Sequence, residues 1–342
     1  MNGTSIKAES WALFDRIVEQ ATEESSTTNP WRFDEAGKVY LPDYTTLERL
    51  LAVPLLLGST SQSGIPALAL DVWIAYELRR AGFEPDRVWP RAQPPRILPR
   101  TLIALLKGAT RRQRTVLDEL LASGKTFDGE IGTSAHILGK NYVKQVDVVM
   151  SAWNTGPELL ISTKRMDSSF GNNAANRVEE SYGDAKNLRS RHPQAALGFV
   201  YSLSFAAFDP EHRRVADWIV DLLGKLGRED DAYDAVALIV PDLAATPATP
   251  TDEIVDEQQP LVAAGIQSAP DVDTRPLAMP STELDRRLDQ LPRIELRHDV
   301  VPPTLRPDAF FGTMINRVLD NCPINFHEQA RTRRATPGTL SG

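Results

Sequence analysis

The feature that most constrains the fold of this chain is a set of four short apolar segments between residues 144 and 242. The segments are 144–153 (KQVDVVMSAW), 157–163 (PELLIST), 195–203 (AALGFVYSL) and 233–242 (YDAVALIVPD). Each has the length of a strand, and the NTGP turn between the first two predicts a hairpin. Amphipathic helices are predicted at 101–124, 174–191 and 212–227. This order predicts an α/β fold with a mixed sheet flanked by helices.

The rest of the chain divides by its composition. Apolar residues at helical spacing predict helices at 5–24, 46–57 and 65–82, and the Pro- and Arg-rich stretch 87–100 predicts an extended connection. Residues 243–282 are rich in Ala, Pro, Thr and acids, which is typical of a disordered linker. We therefore predict an N-terminal helical region (1–100), an α/β core (101–242), a linker (243–282) and a C-terminal segment (283–342). That last segment is expected to hold two short helices and a loose tail from residue 330.

Composition limits the class of protein. The chain has 342 residues and a net charge of −8, so nucleic-acid binding would have to come from a local basic patch. Its single cysteine, Cys322, cannot form an intramolecular disulfide and indicates a reducing compartment. The chain contains neither a long apolar run nor a secretory leader, so we expect no membrane partner and a cytoplasmic location.

Three charged positions suggest a catalytic site. Asp147 interrupts an apolar strand, and alternation is expected to place Val146 and Val148 on the opposite side from its carboxylate. Lys164 is predicted to end the paired strand, 17 positions later, and the adjacent acids Glu179 and Glu180 follow on the next helix. Two carboxylates can hold Mg²⁺, which activates water, while a lysine neutralises charge developing on a phosphate.

This arrangement resembles the PD-(D/E)XK nuclease superfamily, which includes many type II restriction endonucleases. The order of elements over 101–203, about a third of the chain, is similar to the core of that superfamily. The family motif has an acid two residues before its lysine, where this chain has Ser162 in Ser162-Thr163-Lys164. A subset of restriction endonucleases shares this departure and carries the acid on the following helix, the place of Glu179 or Glu180.

The resemblance implies a Mg²⁺-dependent DNA endonuclease with a restriction-endonuclease-like core and an added N-terminal helical region. It implies Asp147 as the first metal ligand and Lys164 as the catalytic lysine, with double-stranded DNA as substrate and a homodimer as the working form. Because related nucleases often carry an acid upstream of the first strand, Glu130 is a further candidate ligand.

The choice between the two glutamates stays open at this point. They project about 100° apart on a helix. The apolar residues expected to face the sheet are Val178, Tyr182, Ala185 and Leu188. Spacing favours Glu179 as the relocated acid, with Glu180 as the alternative.

Two segments are candidates for contact with DNA. The polar stretch after Lys164 contains residues that bond phosphates and base edges: Ser168, Ser169, Asn172, Asn173 and Arg177. The second segment, 91–114, has seven basic residues and no acid. They are Arg91, Arg96, Arg100, Lys107, Arg111, Arg112 and Arg114, and we expect the last three to face phosphates.

Other classes of function lack their motifs. The chain has no His-Glu-x-x-His zinc motif, no Gly-x-x-x-x-Gly-Lys phosphate loop and no Gly-x-Ser-x-Gly nucleophile turn. Two alternatives to a nuclease remain. Ser162 is compatible with a nuclease fold that only binds DNA, and the acidic linker with the C-terminal helices is compatible with a non-enzymatic interaction protein.

Overall fold

The computed structural model of the chain describes residues 6–25, 29–35, 37–60, 63–123, 135–168, 170, 174–228, 230, 232–243 and 279–339. The helices in these ranges are α1 (Ile6–Ser25), α2 (Tyr44–Leu56), α3 (Ile65–Arg80), α4 (Arg100–Gly108), α5 (Arg111–Ser123), α6 (Ala174–Arg191), α7 (Arg213–Leu226), α8 (Ser281–Leu288), α9 (Pro307–Asn321) and α10 (Glu328–Ala335). The strands are β1 (Trp31–Asp34), β2 (Gly37–Tyr40), β3 (Val88–Trp89), β4 (Ala135–Leu138), β5 (Val143–Val146), β6 (Val148–Ala152), β7 (Gly156–Met166), β8 (Ala196–Leu203), β9 (Ala235–Ile239), β10 (Pro241–Asp242), β11 (Glu295–Leu296) and β12 (Gly338–Thr339).

A five-stranded mixed sheet lies at the centre, with strand order β3-β6-β7-β8-β9. Strands β3, β6 and β7 pair antiparallel, whereas β7, β8 and β9 pair parallel. The two parallel connections run through α6 and α7, as neighbouring parallel strands require a crossover. The prediction of an α/β fold with a mixed sheet flanked by helices is therefore confirmed. None of the described helices is long and apolar enough to cross a membrane.

Each face of the sheet packs against a different set of helices. Leu159 and Ile161 of β7 belong to a core shared with α1, α2, α3 and α9, whereas Leu160 between them belongs to a core shared with α6 and α7. Every residue of β8 is buried, as expected for a strand covered on both faces. The edge strand β3 comes from the first hundred residues, so the N-terminal region shares this sheet.

The predicted strand 144–153 is wrong in one respect, because it breaks at Asp147. Strand β5 ends at Val146 and pairs with β4, while β6 begins at Val148 and pairs with β7. Val146 and Val148 consequently lie in the two different cores, not on one face as alternation predicted. Asp147 is therefore a bend residue and not a regular strand residue, and its carboxylate bonds to the backbone of the neighbouring strand β7.

The predicted helix 101–124 is also divided, into α4 and α5. Ala109 after α4 has an extended backbone, and the Thr110 hydroxyl and backbone N–H both donate to the side-chain oxygen of Gln113. A side chain at the third helical position that reaches back to the residue before the helix is a capping-box feature. The sequence Thr-x-x-Gln at 110–113 is therefore the signal that starts a second helix.

The prediction of a loose tail from residue 330 is wrong for the part that the structure describes. Ala330 is fully buried in α10, and strand β12 pairs parallel with β1. The Arg331 guanidinium donates to the carbonyl oxygens of Leu319 and Cys322 at 2.6 and 2.7 Å, which ties α10 to the end of α9. These contacts join distant segments, so local composition did not predict them. Residues 244–278 of the predicted linker lie outside the described residues.

Candidate active site at the sheet edge

Asp147 lies at the bend between β5 and β6, and one of its carboxylate oxygens bonds to strand β7. Its Oδ2 accepts a hydrogen bond from the backbone N–H of Thr163 at 2.7 Å. On the opposite face of the sheet, the Thr163 hydroxyl donates to Asp71 of α3, also at 2.7 Å. Thr163 of β7 is thus bonded through both its backbone and its side chain. The Asp147 carboxylate therefore lies beside the residue that precedes Lys164 in sequence.

Lys164 is half-buried on the face of the sheet that α6 covers. Strand alternation puts Ser162 and Lys164 on the same side as Leu160 and Met166, which pack in the core below α6 and α7. Strand β7 runs two residues beyond Lys164, so the prediction that Lys164 ends the strand is wrong. Among the described residues, the Lys164 ammonium has no hydrogen bond or ion pair to a side chain.

The two candidate glutamates of α6 have different surroundings. The Glu180 carboxylate lies 3.4 Å from the Lys144 ammonium on β5, and its side chain is 40% exposed. Glu179 is exposed and has no bonded partner among the described residues. Glu180 is therefore the glutamate that reaches the strand preceding Asp147, although spacing along the sequence favoured Glu179.

Three further residues of this region escaped the sequence analysis. Asp184 is buried in α6. Its carboxylate lies 2.6 Å from the Lys144 ammonium and accepts a hydrogen bond from the Tyr142 hydroxyl at 2.9 Å. Burial lowers the pKa of Lys144, but the hydrogen bond and charge of Asp184 outweigh burial and raise it. Burial and the Asp184 carboxylate raise the pKa of Tyr142 to about 12. The sequence did contain a signal for Asp184. It follows Glu180 by four residues, and residues with this spacing share a helix face.

Tyr233 is a further buried residue whose pKa is affected by the acids of the candidate site. It is buried just before β9, and its hydroxyl donates to the Ser181 carbonyl at 3.0 Å. Burial raises its pKa most, and the charges of Asp184, Asp147 and Glu180 raise it further, against a hydrogen bond from Ser162. Three acids and the serine of the lysine motif therefore act on one hydroxyl group.

The carboxylates of this site are partly engaged with protein groups. Among the described residues, no three of these acids lie close enough together to share one ion, and the Lys144 ammonium contacts both Glu180 and Asp184. The contacts of the Lys144 ammonium show that Glu180 and Asp184 stabilise a positive charge beside α6. Asp147 bonds to Thr163 through Oδ2, and the Glu180 side chain is 40% exposed. Oxygen ligands of this kind suit Mg²⁺ if Lys144 releases Glu180.

Several predicted site residues cannot be placed by their side chains. Four of them lie outside the described residues, namely Glu130, Ser169, Asn172 and Asn173. Arg177 lies in α6, but its side chain is not described. Ser168 is half-buried and already has a bonded partner.

The basic stretch 91–114 is not a free positive surface along its whole length. Four of its seven basic residues form ion pairs with acids outside the stretch: Arg91 and Lys107 with Asp86, Arg96 with Asp15, and Arg100 with Glu84. Arg111, Arg112 and Arg114 are exposed in the first turn of α5, where Arg114 lies 3.9 Å from Asp118. Of the basic stretch, the candidates for DNA contact are therefore reduced to Arg111, Arg112 and Arg114.

The acids of the candidate site come from two elements. Asp147 lies in the bend between β5 and β6, and Glu180 and Asp184 lie in α6. Lys164 comes from the strand between them. Comparisons with protein-family models, with curated proteins and with solved structures found no match for the chain.

Proposed function

We propose that this chain is a Mg²⁺-dependent DNA endonuclease with a restriction-endonuclease-like core, of the type II restriction or a related defence class. The order hairpin, helix, parallel strand supports this fold, since β6, β7, α6 and β8 follow one another as the resemblance implies. The short hydrogen bond from Thr163 to Asp147 carries the functional argument. It joins the acid to the strand position directly before Lys164.

The residues have distinct roles in the proposal. Asp147 and Glu180 hold the cation, with Glu179 as the alternative that spacing favours. Mg²⁺ lowers the pKa of bound water and stabilises charge on the leaving oxygen. Lys164, which has no carboxylate partner among the described residues, faces the scissile phosphate and neutralises its developing charge.

The remaining contacts position DNA. Arg111, Arg112 and Arg114 bind backbone phosphates, a contribution that falls as salt rises. One active site cuts one strand, so a homodimer supplies the second site for cleavage of double-stranded DNA.

The experiment is a plasmid-nicking assay with Mg²⁺ and with EDTA. Cleavage is expected only with the metal, and Asp147→Asn and Lys164→Met are expected to reduce it by about 100-fold or more. Glu180→Gln should do the same and Glu179→Gln should not, because only Glu180 reaches β5. The controls are Asp221→Asn and Lys225→Met, which remove the same functional groups from an exposed pair on α7. Cleavage that survives in Asp147→Asn or Lys164→Met would refute the assignment.

A nuclease fold that only binds DNA is the second candidate. One observation favours it: the Lys144 ammonium neutralises the two α6 acids, and Ser162 occupies the position of a metal-binding acid. This alternative expects a gel shift of duplex DNA that neither Mg²⁺ nor Mn²⁺ converts to cleavage. Neither binding nor cleavage would leave the non-enzymatic interaction protein as the remaining hypothesis.

A further inference from the structure

A second cluster of ligand-type side chains lies at the opposite end of β7 from Lys164. Glu158 stands near the start of β7, Cys322 directly follows α9, and His327 directly precedes α10. One potential ligand atom from each of these residues lies within 4.8 Å of the others. Among the described residues this is the only group of three or more His, Cys, Asp or Glu that meets that limit. The cluster is separate from the proposed nuclease site and does not depend on it.

Two members of this cluster form a buried pair. Glu158 Oε2 and His327 Nε2 are 2.9 Å apart, a contact of ion-pair length whose angles are not those of a regular hydrogen bond. Their side chains are only 4% and 2% exposed, respectively. A buried carboxylate and a buried imidazole therefore face each other with Cys322 beside them, and all three side chains are ligand types that zinc takes.

The surrounding residues hold these two side chains in place. The other Glu158 oxygen accepts a hydrogen bond from the buried Arg87 guanidinium at 3.2 Å. The His327 ring packs edge-on against Phe83 with centroids 5.1 Å apart. His327 also has a left-handed backbone with φ of 58°, a conformation that costs energy for a residue other than glycine. Fixed side chains of this kind are a property of built ligand sites.

We propose that Glu158, Cys322 and His327 form a binding site for a single Zn²⁺ ion. Thiolate and imidazole ligands select zinc over magnesium, which prefers an all-oxygen environment. A thiolate and a carboxylate supply two negative charges, which balance the charge of the ion.

The distances suit this ion. Zinc binds nitrogen at about 2.0 Å and sulfur at about 2.3 Å, so tetrahedral ligand atoms lie roughly 3–4 Å from one another. The Glu158 and His327 atoms are 2.9 Å apart and all three ligand atoms lie within 4.8 Å, so small side-chain shifts would bring the cluster to that spacing.

The site would join three segments that are distant along the chain. The ion would fasten the turn between α9 and α10 to the first residues of β7. Because structural zinc contributes directly to folding free energy, the ion is expected to stabilise the docked C-terminal segment. Arg87 would orient Glu158 from behind as an outer-shell residue.

Cobalt substitution gives the sharpest test, because Cys322 is the only cysteine in the chain. Purified protein is stripped with chelator, reduced, and titrated with Co²⁺ and then with Zn²⁺. The expected result is one equivalent of Co²⁺ with a thiolate-to-cobalt charge-transfer band, displaced by Zn²⁺. A thiolate band can arise only from Cys322, so its absence at saturating Co²⁺ would overturn the proposal without any variant.

Variants provide an independent measurement. Cys322→Ser and His327→Gln should each weaken Zn²⁺ binding by about 100-fold or more, beyond the 10- to 100-fold effect of outer-shell changes. The control is His192→Gln, which removes a histidine outside the cluster and should bind Zn²⁺ as the parent does. Zn²⁺ should also raise the thermal midpoint of the parent and not of Cys322→Ser. Equal Zn²⁺ affinity in the parent and in Cys322→Ser would show that Glu158 and His327 form a plain ion pair beside a bystander thiol.

Discussion

Replacing Lys144 by methionine tests whether the buried ion pair of the candidate active site contributes more to stability than an exposed ion pair does. The Lys144 ammonium lies 2.6 Å from Asp184, and the two side chains are 19% and 7% exposed. Lys144→Met keeps most of the aliphatic stem and removes the charge. The Asp184 carboxylate would then keep only the hydrogen bond from Tyr142.

The magnitude follows from the distance and the burial. Two unit charges 2.6 Å apart attract by roughly 6 kcal/mol at an effective dielectric constant near 20, before the cost of removing both from water. Removing one partner of a buried pair costs about 3–5 kcal/mol, because the other charge stays buried and unpaired. Lys144 keeps some access to water, so we expect Lys144→Met to lower the free energy of unfolding by about 2–3 kcal/mol. The exposed Glu180 adds little to this value.

The chain contains a matched control in Lys225, which pairs with Asp221 on α7. Their side chains are 59% and 52% exposed, so Lys225→Met should cost less than about 0.5 kcal/mol. Urea unfolding followed by tryptophan fluorescence measures both variants, with equal m-values required for comparison. Equal losses in Lys144→Met and Lys225→Met would refute the reasoning.

A double variant checks the mechanism of the loss. Asp184→Asn removes the carboxylate that Lys144→Met leaves unpaired. If the penalty comes from that buried charge, Lys144→Met with Asp184→Asn should be more stable than Lys144→Met alone. An additive loss would show instead that packing of the lysine stem causes the effect.

Two further predictions concern the core and the pH dependence of stability. Gly198→Ala should cost about 1–3 kcal/mol in urea unfolding, because the new Cβ would lie 2.8 Å from Phe310 and 2.9 Å from Met314. Gly224→Ala, in the open middle of α7, should be neutral or stabilising, and a similar loss there would contradict the packing argument. Burial, aided by Arg306, lowers the pKa of His298 below 6.5, against Asp308 and Asp299. A lowered pKa means that stability is lost as pH falls through 6.5 toward the folded value, so His298→Gln should flatten the stability profile below pH 6.5, and an unchanged slope would contradict this.

The secondary structure of the central sheet was largely predictable from the sequence. Helix α6 spans Ala174–Arg191, as its periodicity predicted, and β8 lies within one residue of the predicted segment. These elements have continuous patterns that are set by local chemistry. Prediction was wrong where a side chain bonded to a distant backbone group, as at Asp147 and in the segment after residue 330.

The candidate site was predictable only in part. Sequence pattern pointed to Asp147 and Lys164, and the structure bonds Asp147 to Thr163, the residue before Lys164. It did not find Asp184, Lys144 or Tyr233. Asp184 interacts with Lys144 and with Tyr233 across 40 residues or more of sequence, so local pattern could not predict these contacts. It also did not show that four basic residues of the stretch 91–114 pair with acids outside that stretch.

The sequence by itself determined the main helices and most strands of the central sheet, because hydrophobic periodicity acts over a few residues. Tertiary structure alone decided which charges face each other. Lys144 neutralises Asp184, Glu180 rather than Glu179 reaches β5, and the single cysteine meets a histidine and a glutamate from separate segments. Electrostatic contacts depend on distances in space, and only the packed sheet sets those distances.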